Sequence, residues 1–201
     1  MRKVTLTLMW MPLVFLLSGK TPPYEIGDLV TDFTLKNVDG KMISLSDYKA
    51  GKGVIIIFDC NTCPYSRAYN NRIIDLNKKY ASQGFPVITI NPNDPELSPG
   101  DSFTEMAAIA KKRNYSFPYL IDETQQVARS FGATNTPHVF VLKNEAKNFK
   151  VAYIGTIDNN SRDASAANKK YVEEAVNALL ENRSIPTART KAIGCGIKWK
   201  D

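Results

Sequence analysis

The sequence is poor in the residues that build metal centres and disulfide scaffolds. Its 201 residues include three cysteines and one histidine. Three cysteines are too few for a scaffold held together by disulfides. A zinc site that used two of the cysteines would still have to recruit both Cys195 and His138. We therefore expect no bound metal and no cofactor.

Clusters of one kind of residue are also scarce. The chain has no internal repeat and no low-complexity tract, and its formal net charge is +6. Its short basic clusters, such as Lys111-Lys112-Arg113 and Lys169-Lys170, are typical of exposed helix faces or helix ends. Since no basic stripe is interleaved with aromatic residues, nucleic-acid binding is not expected.

The longest apolar stretch is short and lies at the N-terminus. Residues 4–17 follow Arg2 and Lys3 and precede the small residues Ser18 and Gly19. A basic start, a short apolar core and a small-residue end are typical of an export signal, and the stretch is short for a membrane span. We therefore expect residues 1–19 to be a signal peptide and the mature chain to reach the periplasm or cell envelope without a membrane span. A buried N-terminal strand or helix and an uncleaved anchor are the alternatives.

The rest of the chain alternates short apolar runs with helical stripes. Runs rich in β-branched residues indicate strands, and apolar residues three or four apart indicate helices. This alternation implies a layered α/β domain over residues 29–201, preceded by a linker at 20–28. The last two strands should form an antiparallel hairpin, so the sheet is mixed. The expected strands lie near 33–35, 42–45, 54–58, 87–90, 117–121, 139–142 and 151–154, with helices from Pro64 to about Gly84 and near 102–115, 123–131 and 168–181.

Cys60 and Cys63 flank Asn61-Thr62 at the junction of a buried strand and the following helix. The unsatisfied amides of a helix start favour a nearby thiolate, so the pair is a candidate redox dithiol. We expect Cys60 to be nearer to solvent and to attack as a thiolate of lowered pKa. Cys63 should then resolve the mixed disulfide by forming a Cys60–Cys63 disulfide.

A second informative segment is Thr136-Pro137-His138, directly before a strand. A proline there is either the start of an edge strand or a cis residue in a specific turn. His138 could accept a proton at the site, or simply begin the strand with a satisfied hydrogen bond.

Six segments between about residues 26 and 200 carry a family pattern. They are CNTCPY at 60–65, INPND at 90–94, FPYL at 117–120, TNTPHVFV at 134–141, YIGTID at 153–158 and GCGIKW at 194–199. In these segments the chain resembles the thioredoxin-like superfamily, in its alkyl hydroperoxide reductase/thiol-specific antioxidant (redoxin) branch. More narrowly, it resembles exported bacterial thioredoxin-family proteins with an Asn-x-Cys-Pro-Tyr active site.

The resemblance implies a central mixed sheet flanked by helices, with an N-terminal β-hairpin and a C-terminal helix and tail. It also implies that Pro137 is cis and faces the dithiol, and that the backbone of Thr136 pairs with an extended substrate. Asn61, Thr62 and His138 complete the expected substrate-binding side. The implied activity is thiol–disulfide exchange by a monomer with protein thiols and disulfides, supported by a redox partner protein.

Two other activities remain as alternatives. Peroxiredoxins carry Pro-x-x-x-Thr-x-x-Cys, and aligning that cysteine with Cys63 places Ile56 at the proline and Cys60 at the threonine. The antioxidant thiol peroxidase is therefore disfavoured. A metal-handling carrier would use Cys60, Cys63 and His138, but its cysteines are usually one residue further apart.

Two residues have no settled role at this stage. Thioredoxins have a buried acid six residues before the first cysteine, where this chain has Val54. Asp59 is adjacent to Cys60 in sequence, and it is either a nearby acid or a strand-end residue that faces solvent. For Cys195 a packed thiol is favoured over a third redox thiol and over a metal ligand.

Overall fold

The computed structural model describes residues 22–200. The expected signal peptide at 1–19 lies outside these residues. Within them, no helix is both long and apolar enough to cross a membrane.

The described part of the chain forms nine strands and four α-helices. The strands are β1 Thr34–Asn37, β2 Met42–Ser44, β3 Gly53–Phe58, β4 Val87–Asn91, β5 Tyr119–Ile121, β6 Asn135–Thr136, β7 His138–Glu145, β8 Asn148–Gly155 and β9 Cys195–Gly196. The α-helices are α1 Pro64–Tyr80, α2 Phe103–Lys112, α3 Gln126–Phe131 and α4 Tyr171–Leu180.

Seven of the strands form one mixed sheet in the order β2-β1-β5-β4-β3-β7-β8. The centre of the sheet is parallel, since β3 pairs with β4 and β4 with β5 in that sense. On the other side β3 pairs antiparallel with β7, and β7 with β8. Every residue of β3 is buried because helices or loops cover both faces of the sheet, as its unbroken apolar run predicts. The expected mixed α/β sheet is confirmed.

Two apolar cores lie on opposite faces of the sheet. On one face, Tyr69 and Ile73 of α1 and Val176 of α4 pack against alternate residues of the central strands. On the other, Phe131 of α3 packs against Phe58 and its neighbours. Alternate strand residues point to opposite faces, so this division follows from the strands' own residue order.

The final hairpin is longer than the sequence indicated. The sequence predicts strands near 139–142 and 151–154, whereas β7 runs to Glu145 and β8 begins at Asn148. Only Ala146 and Lys147 turn the chain, both with positive φ (51° and 66°). Two residues of that conformation suit a tight hairpin, whose twist matches that of the strands.

The segments at the two ends of the described chain are attached to the domain. The stretch expected to be a linker is hydrogen-bonded to it, with the amide of Tyr24 donating to Ser130 and that of Gly27 to Val151. After α4 the chain returns along β8, where Ile154 bridges Arg189. This return brings β9 antiparallel to β6, a two-residue pairing that the sequence did not indicate.

Candidate active site

The site forms where the end of β3 meets the start of β7. The two strands are antiparallel and Phe58 pairs with His138, so the residues after Phe58 lie beside those before His138. The Thr136–Pro137 peptide bond is cis, as the resemblance implied, and both residues are buried. The Cys-x-x-Cys loop and the cis-proline turn therefore share one end of the sheet.

The helix start, whose free amides favour a thiolate, lies nearer in sequence to Cys63 than to Cys60. Pro64 is the first residue of α1, where its missing amide hydrogen costs least, and Cys63 is the N-cap. Cys63 is therefore the cysteine at the helix terminus, and Cys60 lies one loop earlier.

The disulfide in the structure joins Cys63 to Cys195, with their Cα atoms 5.9 Å apart. Cys60 is free and buried. The expected Cys60–Cys63 disulfide is thus not the one present, and Cys195 is disulfide-bonded rather than a packed free thiol. The physical reason is the β6–β9 pairing, which sets Cys195 opposite Thr136, while Cys63 Sγ lies 3.1 Å from the Thr136 carbonyl oxygen.

Cys60 does not have the exposed, acidic thiol that the sequence suggested. Its side chain is only 4% exposed, and its Sγ lies 3.1 Å from the hydroxyl of Thr136. Burial raises the pKa of the Cys60 thiol, and the negative charges of Asp101 and Asp59 raise it further. In this disulfide state Cys60 is therefore held as a protonated thiol.

Asp101 anchors the loop between the cysteines. Its fully buried carboxylate accepts hydrogen bonds from the amides of Asn61 (2.7 Å) and Thr62 (3.2 Å) and from the Thr62 hydroxyl (2.7 Å). Ser98 and Asn93 donate to it as well. Such a set of donors compensates the burial of a charge and holds the loop in one conformation.

Asn61 and Thr62 are also held by residues other than Asp101. The guanidinium of Arg67 donates to the Asn61 carbonyl (3.0 Å) and to the Thr62 carbonyl (3.1 Å). The hydroxyl of the buried Tyr119 donates to the Asn61 side chain (3.0 Å). These bonds hold the dithiol loop in place. To contact a substrate, the Asn61 side chain would have to break its bond to Tyr119, and the Thr62 hydroxyl its bond to Asp101.

Asp59, whose role the sequence left open, is a buried residue beside Cys60. Its side chain is 4% exposed, and Oδ1 has no hydrogen-bond partner among the described residues. Burial raises the pKa of Asp59 to about 6, although the Ser66 hydroxyl and the Cys60 amide favour the charged form. Ser66 Oγ lies 4.0 Å from Cys60 Sγ, so Asp59, Ser66 and Cys60 form one buried group.

His138 faces the opposite side of the sheet from α1. Its ring lies 4.7 Å from that of Phe140, which belongs to the core under α3, and its Nδ1 accepts a hydrogen bond from the Thr134 amide (3.3 Å). Burial, and then the charge of Arg189, lower the pKa of His138 to about 4. A neutral histidine in this place is a structural residue, and the structure gives no support to its role as a proton acceptor.

Within residues 22–200, no three or more His, Cys, Asp or Glu side chains are grouped so that they could hold an ion. The three residues of the metal-carrier alternative are separated, since Cys63 is bonded to Cys195 and His138 lies on the other face.

Comparisons with known proteins identify a family and similar folds. The AhpC/TSA family matches residues 26–157. The chain is 27% identical over 129 residues to thiol-disulfide oxidoreductase ResA of Geobacillus thermodenitrificans (strain NG80-2), which covers 63% of this chain and 68% of the relative. A crystal structure of an uncharacterized conserved protein from Geobacillus kaustophilus has a TM-score of 0.80 and 34% identity, covering 88% of this chain and 93% of the other. A hypothetical protein from Sinorhizobium meliloti 1021 has the same TM-score and 30% identity, covering 88% and 95%.

Proposed function

The chain belongs to the AhpC/TSA family and is a thiol–disulfide oxidoreductase, and we propose that it exchanges disulfides with protein substrates through Cys60 and Cys63. The observation that carries this proposal is the grouping of a free thiol and a disulfide around Thr136, the thiol beside its hydroxyl and the disulfide beside its carbonyl oxygen. Thiol–disulfide exchange needs an attacking sulfur and a disulfide in one site.

The catalytic form in this proposal has a Cys60–Cys63 disulfide. A substrate thiolate attacks it, and the bond between the two cysteines breaks as the mixed disulfide forms. A second substrate thiolate then attacks the mixed disulfide, so the substrate leaves oxidised and the enzyme holds two thiols. Run in reverse, the same steps reduce a substrate disulfide, with a redox partner protein restoring the starting state.

Asp59 is the proton acceptor in this scheme. A carboxyl whose pKa is about 6 is ionised at neutral pH and is close enough in basicity to exchange protons with a thiol. Ser66 lies between it and Cys60 and can relay the proton. This arrangement takes the place of the buried acid that thioredoxins have six residues before the first cysteine.

The family and the N-terminal sequence support a proposal for where the protein acts. We propose that the protein acts as a monomer outside the cytoplasm, in the periplasm or cell envelope, after removal of residues 1–19. Peroxide reduction is disfavoured as its main reaction, because Ile56 and Cys60 stand where peroxiredoxins have the proline and the threonine of their active-site motif.

The test is the reduction of a protein disulfide, followed as precipitation of insulin chains in the presence of a thiol reductant. Cys60→Ser and Cys63→Ser should each lower the rate by about 100-fold or more, because exchange through the dithiol is lost. Ser82→Ala, at an exposed position far from the site, is the control and should match the unaltered protein. Full activity in Cys60→Ser would overturn the proposal.

A further inference from the structure

The segment 194–200, here called the tail, is attached to the domain through its backbone. The Asn135 side chain donates to the Gly194 carbonyl (3.0 Å), and the Ile197 amide donates to the Thr134 carbonyl (3.2 Å). Between these two bonds, Cys195 pairs antiparallel with Thr136. The tail is thus an added strand on the edge formed by residues 134–136.

Beyond this edge, the tail is held by the loop that follows β4 and by Gln125, the residue before α3. The Lys198 amide donates to Asn93 (2.9 Å), and the Lys198 carbonyl accepts from the Asp94 amide (2.9 Å) and from Gln125 (2.8 Å). Ile197 is 7% exposed and joins the core under α3. Main-chain bonds together with one apolar anchor are typical of a bound extended peptide.

We propose that the tail is an intramolecular pseudosubstrate that occupies the edge at Thr136 until Cys60 displaces it from Cys63. This inference rests on the proposed exchange function. Its basis is that the tail combines an extended backbone paired to residues 134–136 with a cysteine already disulfide-bonded to the site. While the tail is in place, a partner segment cannot pair with the same edge.

The displacement is an internal disulfide exchange. Cys60 gives up its proton and its thiolate attacks Cys63 Sγ. A Cys60–Cys63 bond forms as the Cys63–Cys195 bond breaks, and the electron pair of the broken bond leaves on Cys195, which then takes up a proton. One disulfide is exchanged for another, so no external oxidant or reductant is needed.

The tail also indicates which partner segments fit. A Cβ added to Gly194 would lie 2.2 Å from the Thr136 carbonyl oxygen, so the residue before the paired cysteine must be glycine. A Cβ added to Gly196 would meet nothing within 4 Å among the described residues. The edge therefore selects extended segments in which glycine precedes the cysteine, any residue follows it and an aliphatic residue comes next.

Two matched glycine variants test the pseudosubstrate. Gly194→Ala should unseat the tail while all three cysteines remain, and Gly196→Ala should not. In the oxidised protein, iodoacetamide should then label Cys195 in Gly194→Ala, and peptide mapping should find a Cys60–Cys63 disulfide there. In Gly196→Ala, as in the unaltered protein, Cys195 should stay protected. Equal protection of Cys195 in both folded variants would overturn the inference.

A second arm uses Gly194→Ala/Cys195→Ser and two synthetic peptides. One peptide has the sequence of residues 193–199, and the other has valine in place of the glycine before the cysteine. The first should form a mixed disulfide with the oxidised protein about tenfold faster, because the second cannot seat against Thr136. If the two peptides react at equal rates while the protein still exchanges disulfides with glutathione, the pseudosubstrate inference is overturned and the proposed function is not. Absence of exchange with glutathione as well would overturn the proposed function.

Discussion

Thr62 and Asp101 are joined by two hydrogen bonds, although 39 residues separate them in sequence. One comes from the Thr62 amide and the other from its hydroxyl, and both end on the same buried carboxylate. The dithiol loop therefore owes its shape to a residue of the loop before α2.

Asp101→Asn should destabilise the protein and loosen the dithiol loop. The amide that replaces one carboxylate oxygen cannot accept the bonds that oxygen receives, so buried donors lose their acceptor. The expected loss in unfolding free energy is about 3 kcal/mol, measured by urea denaturation. Amide hydrogen exchange at Asn61 and Thr62 should become faster.

The matched control for that change is Asp163→Asn. Asp163 accepts from the amide and hydroxyl of Ser165 in an exposed loop. Its replacement should have a far smaller effect on unfolding. Equal losses of unfolding free energy in the two variants would contradict the expected effect of burying the Asp101 carboxylate.

Asp59→Asn should alter how stability depends on pH. The pKa of Asp59 is raised to about 6, so between about pH 4 and 6 the folded state binds more protons than the unfolded state. This group's contribution to the unfolding free energy therefore falls as pH rises through that window and stays low above it. Since asparagine does not ionise, the variant should gain up to about 3 kcal/mol relative to the unaltered protein from pH 4 to pH 7.

Urea denaturation at four pH values measures this difference, with Asp75→Asn as a control for loss of an exposed carboxylate. The same Asp59 variant should exchange disulfides more slowly at neutral pH, because its proton acceptor is gone. A stability difference that is constant from pH 4 to pH 7 would contradict the raised pKa.

His138 should remain neutral between pH 5 and pH 8. Burial and the charge of Arg189 lower its pKa to about 4, whereas the unfolded chain protonates near 6.5. Between those values the unfolded state binds more protons, so stability is lost as pH falls through the window. An NMR titration of the ring should show no midpoint between pH 5 and pH 8, and a midpoint near 6.5 would refute the assignment.

Cys195→Ser should destabilise the oxidised protein. The disulfide closes a loop between residues 132 apart, which in the chain-entropy description stabilises by as much as about 5 kcal/mol. The expected loss on guanidinium denaturation is about 2–5 kcal/mol. In excess reductant the variant and the unaltered protein should unfold almost alike, and a loss that persists there would indicate packing rather than the disulfide.

The fold was predictable because its signals are local. The apolar run before Cys60 and the stripe of Tyr69 and Ile73 identify β3 and α1 from adjacent residues alone. The cis-proline turn could be anticipated from the pairing of Thr136-Pro137 with a Cys-x-x-Cys motif.

The disulfide and the buried acid were not predictable in the same way. Nearness in sequence favours Cys60 as the partner of Cys63. Only the two-residue pairing of β6 with β9, far along the chain, brings Cys195 beside Cys63. Asp59 follows a strand that is covered on both faces, so alternation along the strand does not tell a buried position from an exposed one. Both depend on contacts between distant segments.

The distance in sequence between the bonded cysteines also orders events during synthesis. At about 5–20 residues per second, the ribosome adds Cys195 roughly 7–26 s after Cys63. Throughout that interval Cys60 is the only cysteine of the chain that Cys63 can pair with. The bond to Cys195 therefore cannot form before the tail has been made, and its presence marks a chain that has folded through the tail.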